Sequence, residues 1–505
     1  MLTKLDELLV PPDPNIEYDC SNNTKSKGFT LLMKLVLLTK EYPELNGEIK
    51  KYITGNKSEV NKSNEKGWTA LMFACRYSNI KSIETTIKIL IDNDVDINLQ
   101  NDNGWTALMM ACRFSNEEST ENTVKMLIDA GADINLQKNN GWTALMLACR
   151  YSNIDSTENT VKMLIDGGAD INLKETDGWT ALIMACRYSN KESSEKTVKM
   201  LIDVGADVNL KEHTGWTALM IACRFNNTDT IENIVKMLID VGADVNLKEN
   251  LGFTALMFAC RFNNTYSIEN IVKMLINVGA DVNLKENGSF TALMFACRFN
   301  NTDTIENIVK MLINGGADVN LKEHYGWTVL MFACKYINTY SAENIVKMLI
   351  EAGSDLNLQT HEGHTALMMA CSSNRDNIVK ILIEANALIS TKEISIIKPL
   401  KSTTMEIIIE HYKNNGINEY IKKSNYLNVI KHIPYLINNF KFKFGGIYQK
   451  ISQYVWKLRM QSITNEEIFN EIKKENKIIL DYLDIYSPNE INKLSEFVNF
   501  WQSNK

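Results

Sequence analysis

Two short hydrophobic patterns alternate along most of this chain. Residues 144–149 (ALMLAC) illustrate the first pattern, and residues 158–166 (ENTVKMLID) illustrate the second. The apolar positions are Leu145, Met146, Ala148 and Cys149 in the first and Val161, Leu164 and Ile165 in the second. Apolar residues that recur three or four positions apart lie on one face of an α-helix. The pattern therefore predicts pairs of short amphipathic helices and an all-α fold.

Polar residues and glycines mark where these helices begin and end. Thr143 is placed as the N-cap of the first helix, and the polar residues 152–155 form a turn after it. Ser156 is predicted to cap the second helix, whose first turn carries Glu158 at the positive end of the helix dipole. Gly168 is predicted to end that helix, because glycine adopts a positive φ without steric strain.

The helix pair recurs with a period of 37 residues. The glycine that begins each unit keeps one phase, with Ser289 in its place once: Gly67, Gly104, Gly141, Gly178, Gly215, Gly252, Gly326 and Gly363. Two helices of this length cannot bury their apolar faces alone, whereas stacked units can share a continuous core. The repeat is therefore interpreted as a building block of a solenoid.

The repeated phrases resemble the ankyrin repeat. GWTALMIAC (215–223), IVKMLI (234–239) and GADVN (242–246) correspond to the helix start, the second helix and the exit of that family's unit. The resemblance covers about residues 28–395, and the repetitive composition is similar to the large ankyrin-repeat families of giant DNA viruses. It implies an ankyrin-repeat solenoid of helix-turn-helix units with hairpin links, which binds proteins.

The units depart from the family pattern in three ways. The family's proline is Ala and its histidine is Met, so the hydrogen bonds that this histidine makes between repeats must be lost or replaced. The period of 37 exceeds the usual 33 residues. The four extra residues lie between the helices and predict a longer turn or an extra turn on the second helix. Their variation is interpreted as tolerated drift on a polar surface.

The repeats do not account for the two ends of the chain. GFTLLMKLVLL, from Gly28, has the phase of a repeat and is predicted to be an N-terminal cap, whereas four helical patterns after residue 417 predict a small C-terminal helical domain. The predicted organisation is 1–27, an extension; 28–66, a degenerate capping repeat; 67–362, eight repeats of 37 residues; 363–395, a ninth repeat of the 33-residue type; 396–417, a degenerate cap; and 418–505, the helical domain.

Composition narrows the choice of compartment and chemistry. Nine of the ten cysteines share the repeat phase and follow Ala in an apolar helix, so they are predicted to be buried and reduced, with Cys20 outside the series. No CxxC pair, phosphate-binding loop or dinucleotide fingerprint occurs, so we expect no metal, cofactor or catalytic activity. The HEGH phrase at 361–364 is interpreted as a surface histidine pair.

Neither a membrane nor nucleic acid is favoured as a partner. No run of about 18 apolar residues is present, and the net charge is −7. The acidic N-terminus does not resemble a signal peptide, so the predicted location is cytoplasmic, in the host cytoplasm if the protein is viral, with the nucleus left open.

Three rows of large residues repeat with the helices and are expected to be dispensable for the core. By resemblance they line the groove to which partner proteins bind. The first row is Trp68, Trp105, Trp142, Trp179, Trp216, Phe253, Phe290 and Trp327; the second is Arg76, Arg113, Arg150, Arg187, Arg224, Arg261, Arg298 and Lys335; the third is Tyr77, Phe114, Tyr151, Tyr188, Phe225, Phe262, Phe299 and Tyr336.

The predicted function is a non-catalytic scaffold that binds an unidentified partner protein through this groove. If the protein is viral, the expected partner is a host protein. One alternative is an adaptor whose C-terminal domain recruits ubiquitin-ligase or other host machinery, although no clear Leu-Pro box is present. Another is single-stranded nucleic-acid binding by the Arg and aromatic rows. The rows could instead only brace the repeats, as stacked Arg and aromatic side chains can. The sequence does not indicate an oligomeric state.

Overall fold

The computed structural model describes most of the residues before 389. The described residues are 7–388 without 22–23, 190, 226–229, 263–267, 300–303 and 338–340. The predicted degenerate cap (396–417) and C-terminal helical domain (418–505) lie outside them. The chain divides into two units, 1–324 and 325–505, which are described separately below.

A small hairpin and two helices precede the regular repeats. Strands β1 (Tyr18–Ser21) and β2 (Thr24–Ser26) pair antiparallel, with Tyr18 opposite Ser26. Helix α1 (Leu31–Val36) begins after Thr30, whose hydroxyl accepts a hydrogen bond from the Met33 N–H at 3.2 Å. Helix α2 (Leu45–Gly55) follows, and a single 3₁₀ turn (Lys57–Glu59) leads into the repeats. This hairpin is the exception to the predicted all-α fold.

Short inner helices and outer helices then alternate through both units. In the first unit they are α3 (Ala70–Arg76), α4 (Glu84–Ile91), α5 (Ala107–Phe114), α6 (Glu121–Asp129), α7 (Ala144–Tyr151), α8 (Glu158–Asp166), α9 (Ala181–Tyr188), α10 (Glu195–Asp203), α11 (Ala218–Phe225), α12 (Thr230–Asp240), α13 (Ala255–Phe262), α14 (Ile268–Asn277), α15 (Ala292–Phe299) and α16 (Ile305–Asn314). In the second they are α17 (Val329–Tyr336), α18 (Ala342–Glu351), α19 (Ala366–Ser372) and α20 (Asp376–Glu384). The predicted helical solenoid is confirmed.

The inner helices form the core of each unit. In α7, every residue from Ala144 to Cys149 is at most 3 % exposed, because neighbouring inner helices cover one side and the outer helix covers the other. The outer helices bury only one stripe, such as Val161 and Leu164 in α8. Fully buried apolar side chains each contribute about 1.5–3 kcal/mol, so burial between repeats is the main stabilising term.

The predicted helix ends are confirmed in part. The Thr143 hydroxyl accepts a hydrogen bond from the Met146 N–H at 3.2 Å, and Gly168 adopts a φ of +91° after α8. The prediction of Ser156 as the second cap is wrong. Thr157 caps α8, since its hydroxyl accepts from the Thr160 N–H at 3.0 Å. Ser156 donates its N–H to the Tyr151 carbonyl and points its hydroxyl between repeats.

The extra residues form a longer turn that pairs with its neighbour. Between α7 and α8 the turn covers residues 152–157, whereas α19 and α20 of the shorter repeat are separated by only 373–375. The Asn153 N–H donates to the Glu192 carbonyl at 3.0 Å, and the Asn116 N–H donates to the Asp155 carbonyl at the same distance. The turns therefore contribute contacts between repeats.

Small hydroxyl and amide side chains connect successive repeats. The Thr160 hydroxyl donates to Ser115 Oγ at 2.8 Å, and Ser115 Oγ lies 3.3 Å from Ser156 Oγ. At the hairpins, the Asp170 N–H donates to Asn135 Oδ1 at 2.7 Å. Buried polar groups require such partners, so this network supplies hydrogen bonds between repeats.

We expect the nine in-phase cysteines to react slowly with a thiol reagent in native protein. All nine are buried, and burial raises the thiol pKa of seven of them, that of Cys223 to about 12. Only the thiolate is a good nucleophile, so few of these groups are reactive near pH 8. Counting reactive thiols with and without denaturant tests this. We expect at most one thiol to react fast in the native protein, and the Cys20→Ser variant should lose it. Several fast thiols would contradict the burial of the in-phase cysteines.

Candidate binding groove

The structure brings the three predicted rows together on one face of the first unit. The Trp row lies in the hairpins just before the inner helices, while the Arg and aromatic rows occupy the last two positions of those helices, except that Tyr77 directly follows α3. The rings approach each other, since Trp216 lies 5.6 Å from Phe225 between ring centroids. Trp68, Trp105 and Trp142 line a cleft with a volume of about 700 Å³, which we call the tryptophan cleft.

Six guanidinium groups of the Arg row, from Arg76 to Arg261, lie over an aromatic ring of the following repeat. The central guanidinium carbon of Arg113 lies 3.2 Å from the ring centroid of Tyr151, and that of Arg224 lies 3.3 Å from Phe262. Arg187 lies 3.9 Å from Phe225 in the same way. The flat guanidinium can cover a ring face as an ammonium cannot. The rows therefore connect successive repeats.

Three of these arginines also pair with acids in the extra turn of the next repeat. Arg76 pairs with Glu118 at 2.8 Å, Arg150 pairs with Glu192 at 3.1 Å, and Arg113 pairs with Asp155. The interpretation of this turn as tolerated drift missed this role. In the sequence, this pairing was detectable as an acidic residue 42 positions after each of these three arginines, which is five positions more than the repeat period.

Some predicted groove residues belong to the core. Trp68, Arg76, Tyr77 and Phe253 are 3–8 % exposed, so the expectation that the rows are dispensable for the core is wrong for these four. Trp105 and Trp142 are partly exposed, and Phe299 is 40 % exposed. Trp105 and Trp142 therefore contribute to the accessible surface of the groove.

In the second unit the same rows form a smaller cluster. Trp327 lies 5.1 Å from Phe332 and 6.0 Å from Tyr336 between ring centroids. Lys335, which replaces the arginine, places its ammonium 5.2 Å from the ring centroid of Trp327. Here the cation contacts the ring at the start of its own repeat.

In six hairpins of the first unit an acceptor side chain orients the following aromatic residue, which the sequence analysis did not detect. Glu175 Oε1 accepts the N–H groups of Asp177 at 2.9 Å and Trp179 at 3.0 Å. Asn101 Oδ1 does the same for Asn103 and Trp105, at 3.0 Å each. Such an acceptor fixes the backbone just before the inner helix and thereby positions the ring.

The described residues contain no cluster that resembles a metal site. Within them, no group of three or more His, Cys, Asp or Glu side chains could hold a metal ion, and no helix is long and apolar enough to cross a membrane. In the HEGH phrase, His364 Nδ1 lies 3.3 Å from Glu362 Oε2, and the His364 N–H donates to Thr360 Oγ1.

Comparisons with known proteins match the repeats. The family model for ankyrin repeats (3 copies) matches overlapping segments at 44–121, 84–159, 118–212, 154–249, 191–286, 231–307, 266–360 and 305–393. Two ankyrin repeat proteins of Acanthamoeba polyphaga mimivirus are 43 % and 39 % identical over 74 residues each. These matches cover 14 % and 15 % of this chain but only 13 % and 12 % of the relatives.

A solved structure is similar as well. The ankyrin repeat domain of Bcl-3, a member of the IkappaB protein family, is 25 % identical, with a TM-score of 0.39. The match covers 49 % of this chain and 99 % of that domain.

Proposed function

Because this chain belongs to the ankyrin-repeat family, whose repeats form protein–protein interaction scaffolds, we propose that it binds a partner protein through the tryptophan cleft. The similarity to mimivirus proteins supports a host protein as that partner. We also propose the host cytoplasm as its location, which is in keeping with nine buried cysteines.

The observation that carries this proposal is the partly exposed Trp105 and Trp142 at the cleft. Trp, Tyr and Arg dominate the energetic centres of protein interfaces, because they bury a large area and lose little side-chain entropy. The arginines of this face already stack on rings within the chain. The Trp faces are therefore the surface that a partner would cover.

The test is capture of partner proteins from an Acanthamoeba polyphaga lysate by the full chain. We expect Trp105→Ala with Trp142→Ala to lose proteins that the wild type retains. Lys125→Ala with Lys162→Ala is the matched control, since both lysines are exposed on outer helices and pair only with Asp129 and Asp166. Equal capture by both variants would contradict the proposal, and thermal melting would confirm that both are folded.

Replacing Arg150, Arg187 and Arg224 together by Lys should lower the melting temperature by several degrees. Each guanidinium stacks on a ring of the next repeat, and each such contact contributes about 0.5–1 kcal/mol. Differential scanning calorimetry and the capture assay would be run on the same samples. Unchanged melting with lost capture would instead assign these arginines to the partner.

A further inference from the structure

Lys138 interrupts the row of hairpin acceptors. The equivalent position holds an oxygen acceptor in the other hairpins of the first unit: Asn64, Asn101, Glu175, Glu212, Glu249 and Glu286 each accept the N–H of the aromatic residue four positions later. An ammonium group has no lone pair and cannot accept a hydrogen bond. Lys138 therefore cannot make this bond to Trp142.

The interruption leaves two donors and one cation together. The N–H groups of Asn140 and Trp142 have no acceptor among the described residues, whereas Asp177 and Trp179 share Glu175 at the same positions. The Lys138 ammonium turns to the cleft instead, 4.7 Å from the ring centroid of Trp105 and 5.6 Å from that of Trp142. It pairs with no acid of the described part of the chain, and burial lowers its pKa.

All three groups line the tryptophan cleft. The arginines of the cleft are already paired, since Arg113 pairs with Asp155 and Arg150 pairs with Glu192. Asp102 also lines the cleft and forms no ion pair with Lys138. Lys138 is thus an unbalanced, half-buried cation beside two free N–H donors and two Trp faces. A carboxylate accepts from all of these donors at once, and such charge-assisted bonds are the strong ones.

Resting on the proposed function, we propose that the partner inserts an Asp or Glu side chain into the tryptophan cleft at Lys138. The carboxylate takes the place that Glu175 occupies in its own hairpin: it accepts the N–H groups of Asn140 and Trp142 and pairs with the ammonium. The partner segment is therefore acidic at this point, with apolar neighbours that cover Trp105 and Trp142.

The first experiment uses the full chain labelled with ¹⁵N-Trp and two blocked peptides, pentaglutamate and pentaglutamine. The Trp142 backbone signal is assigned by its loss in Trp142→Phe. Pentaglutamate should shift this signal and leave that of Trp179 in place, because the Trp179 N–H is already bonded to Glu175. Pentaglutamine should shift neither. No shift of Trp142 with pentaglutamate overturns the proposal.

Matched variants remove and transplant the site. Lys138→Asn restores the neutral acceptor found at Asn101 and should weaken pentaglutamate binding at least about tenfold, the loss of one charge-assisted bond. Lys162→Asn makes the same charge change on an outer helix away from the cleft and should leave binding unchanged. Glu175→Lys should create a second responsive signal, at Trp179. Equal weakening by both asparagine variants would reduce the effect to net charge and overturn the proposal.

The capture assay separates this inference from the proposed function. Loss of partner in both Trp105→Ala with Trp142→Ala and Lys138→Asn supports both. Loss in the Trp variant alone leaves the cleft as the binding site and overturns the carboxylate at Lys138. A Trp142 shift with a thymidine decamer but not with pentaglutamate would assign the anion to nucleic acid and overturn it too.

Discussion

Phe258→Ala is expected to lower the free energy of unfolding by about 3–5 kcal/mol, the range for truncating a buried aromatic side chain. Phe258 is 3 % exposed in α13, and its ring lies 4.3 Å from that of Trp216 and 5.1 Å from that of Phe253 between centroids. Because Trp216 belongs to the preceding repeat, the cavity would open at an interface between repeats. Urea unfolding followed by circular dichroism measures the loss.

Phe258→Leu is the matched control for this prediction. Leu147 occupies the equivalent position of an earlier repeat at 3 % exposure, so a leucine fits this site in the fold. The variant keeps an apolar side chain but loses the ring stack, and we expect a loss of about 1–2 kcal/mol. If the alanine variant were no less stable than the leucine variant, the stacked rings would not be part of the core.

Most of the fold could be predicted because the same pattern of apolar and polar residues recurs in successive repeats. Apolar spacing gave the two helices, and Thr143 and Gly168 gave two of their ends, since threonine caps and positive-φ glycine have local physical causes. The prediction that Ser156 rather than Thr157 caps α8 was wrong, because the local sequence does not distinguish the two residues. Both hydroxyls cap helices equally well in principle, and only the path of the turn decides which one reaches the free N–H.

The groove was harder to predict, because its contacts join different repeats. The three rows were visible in the sequence, but the pairing of Arg113 with Asp155 depends on how one repeat is placed on the next. Burial of Arg76 has the same origin, since its guanidinium lies 3.8 Å from the ring centroid of Phe114 in the following repeat. The sequence already shows a lysine at position 138, where Glu175 stands in the next repeat. Its consequence became clear only from the structure, in which Glu175 accepts the N–H of the following aromatic residue.

Gly104→Ala is expected to destabilise the protein by about 2–5 kcal/mol, the sum of backbone strain and overpacking. Gly104 has a φ of +79°, and a Cβ there would lie 2.5 Å from the Asn139 backbone nitrogen in the next hairpin. Backbone atoms cannot turn aside as a flexible side chain can, so the two hairpins must separate. Urea unfolding of the variant and wild type measures the difference.

Gly131→Ala isolates the strain from the clash. Gly131 has a similar φ of +86°, but nothing lies within 4 Å of the position that an alanine methyl group would take there, so we expect a loss of only about 1–2 kcal/mol. Ser289 provides the reverse experiment, since it replaces the glycine of its phase at a φ of +67°. Ser289→Gly should therefore stabilise the protein by about 1 kcal/mol. Equal losses at Gly104 and Gly131 would show that the hairpins are not in close contact, and the stacking of hairpins along the array would then need another explanation.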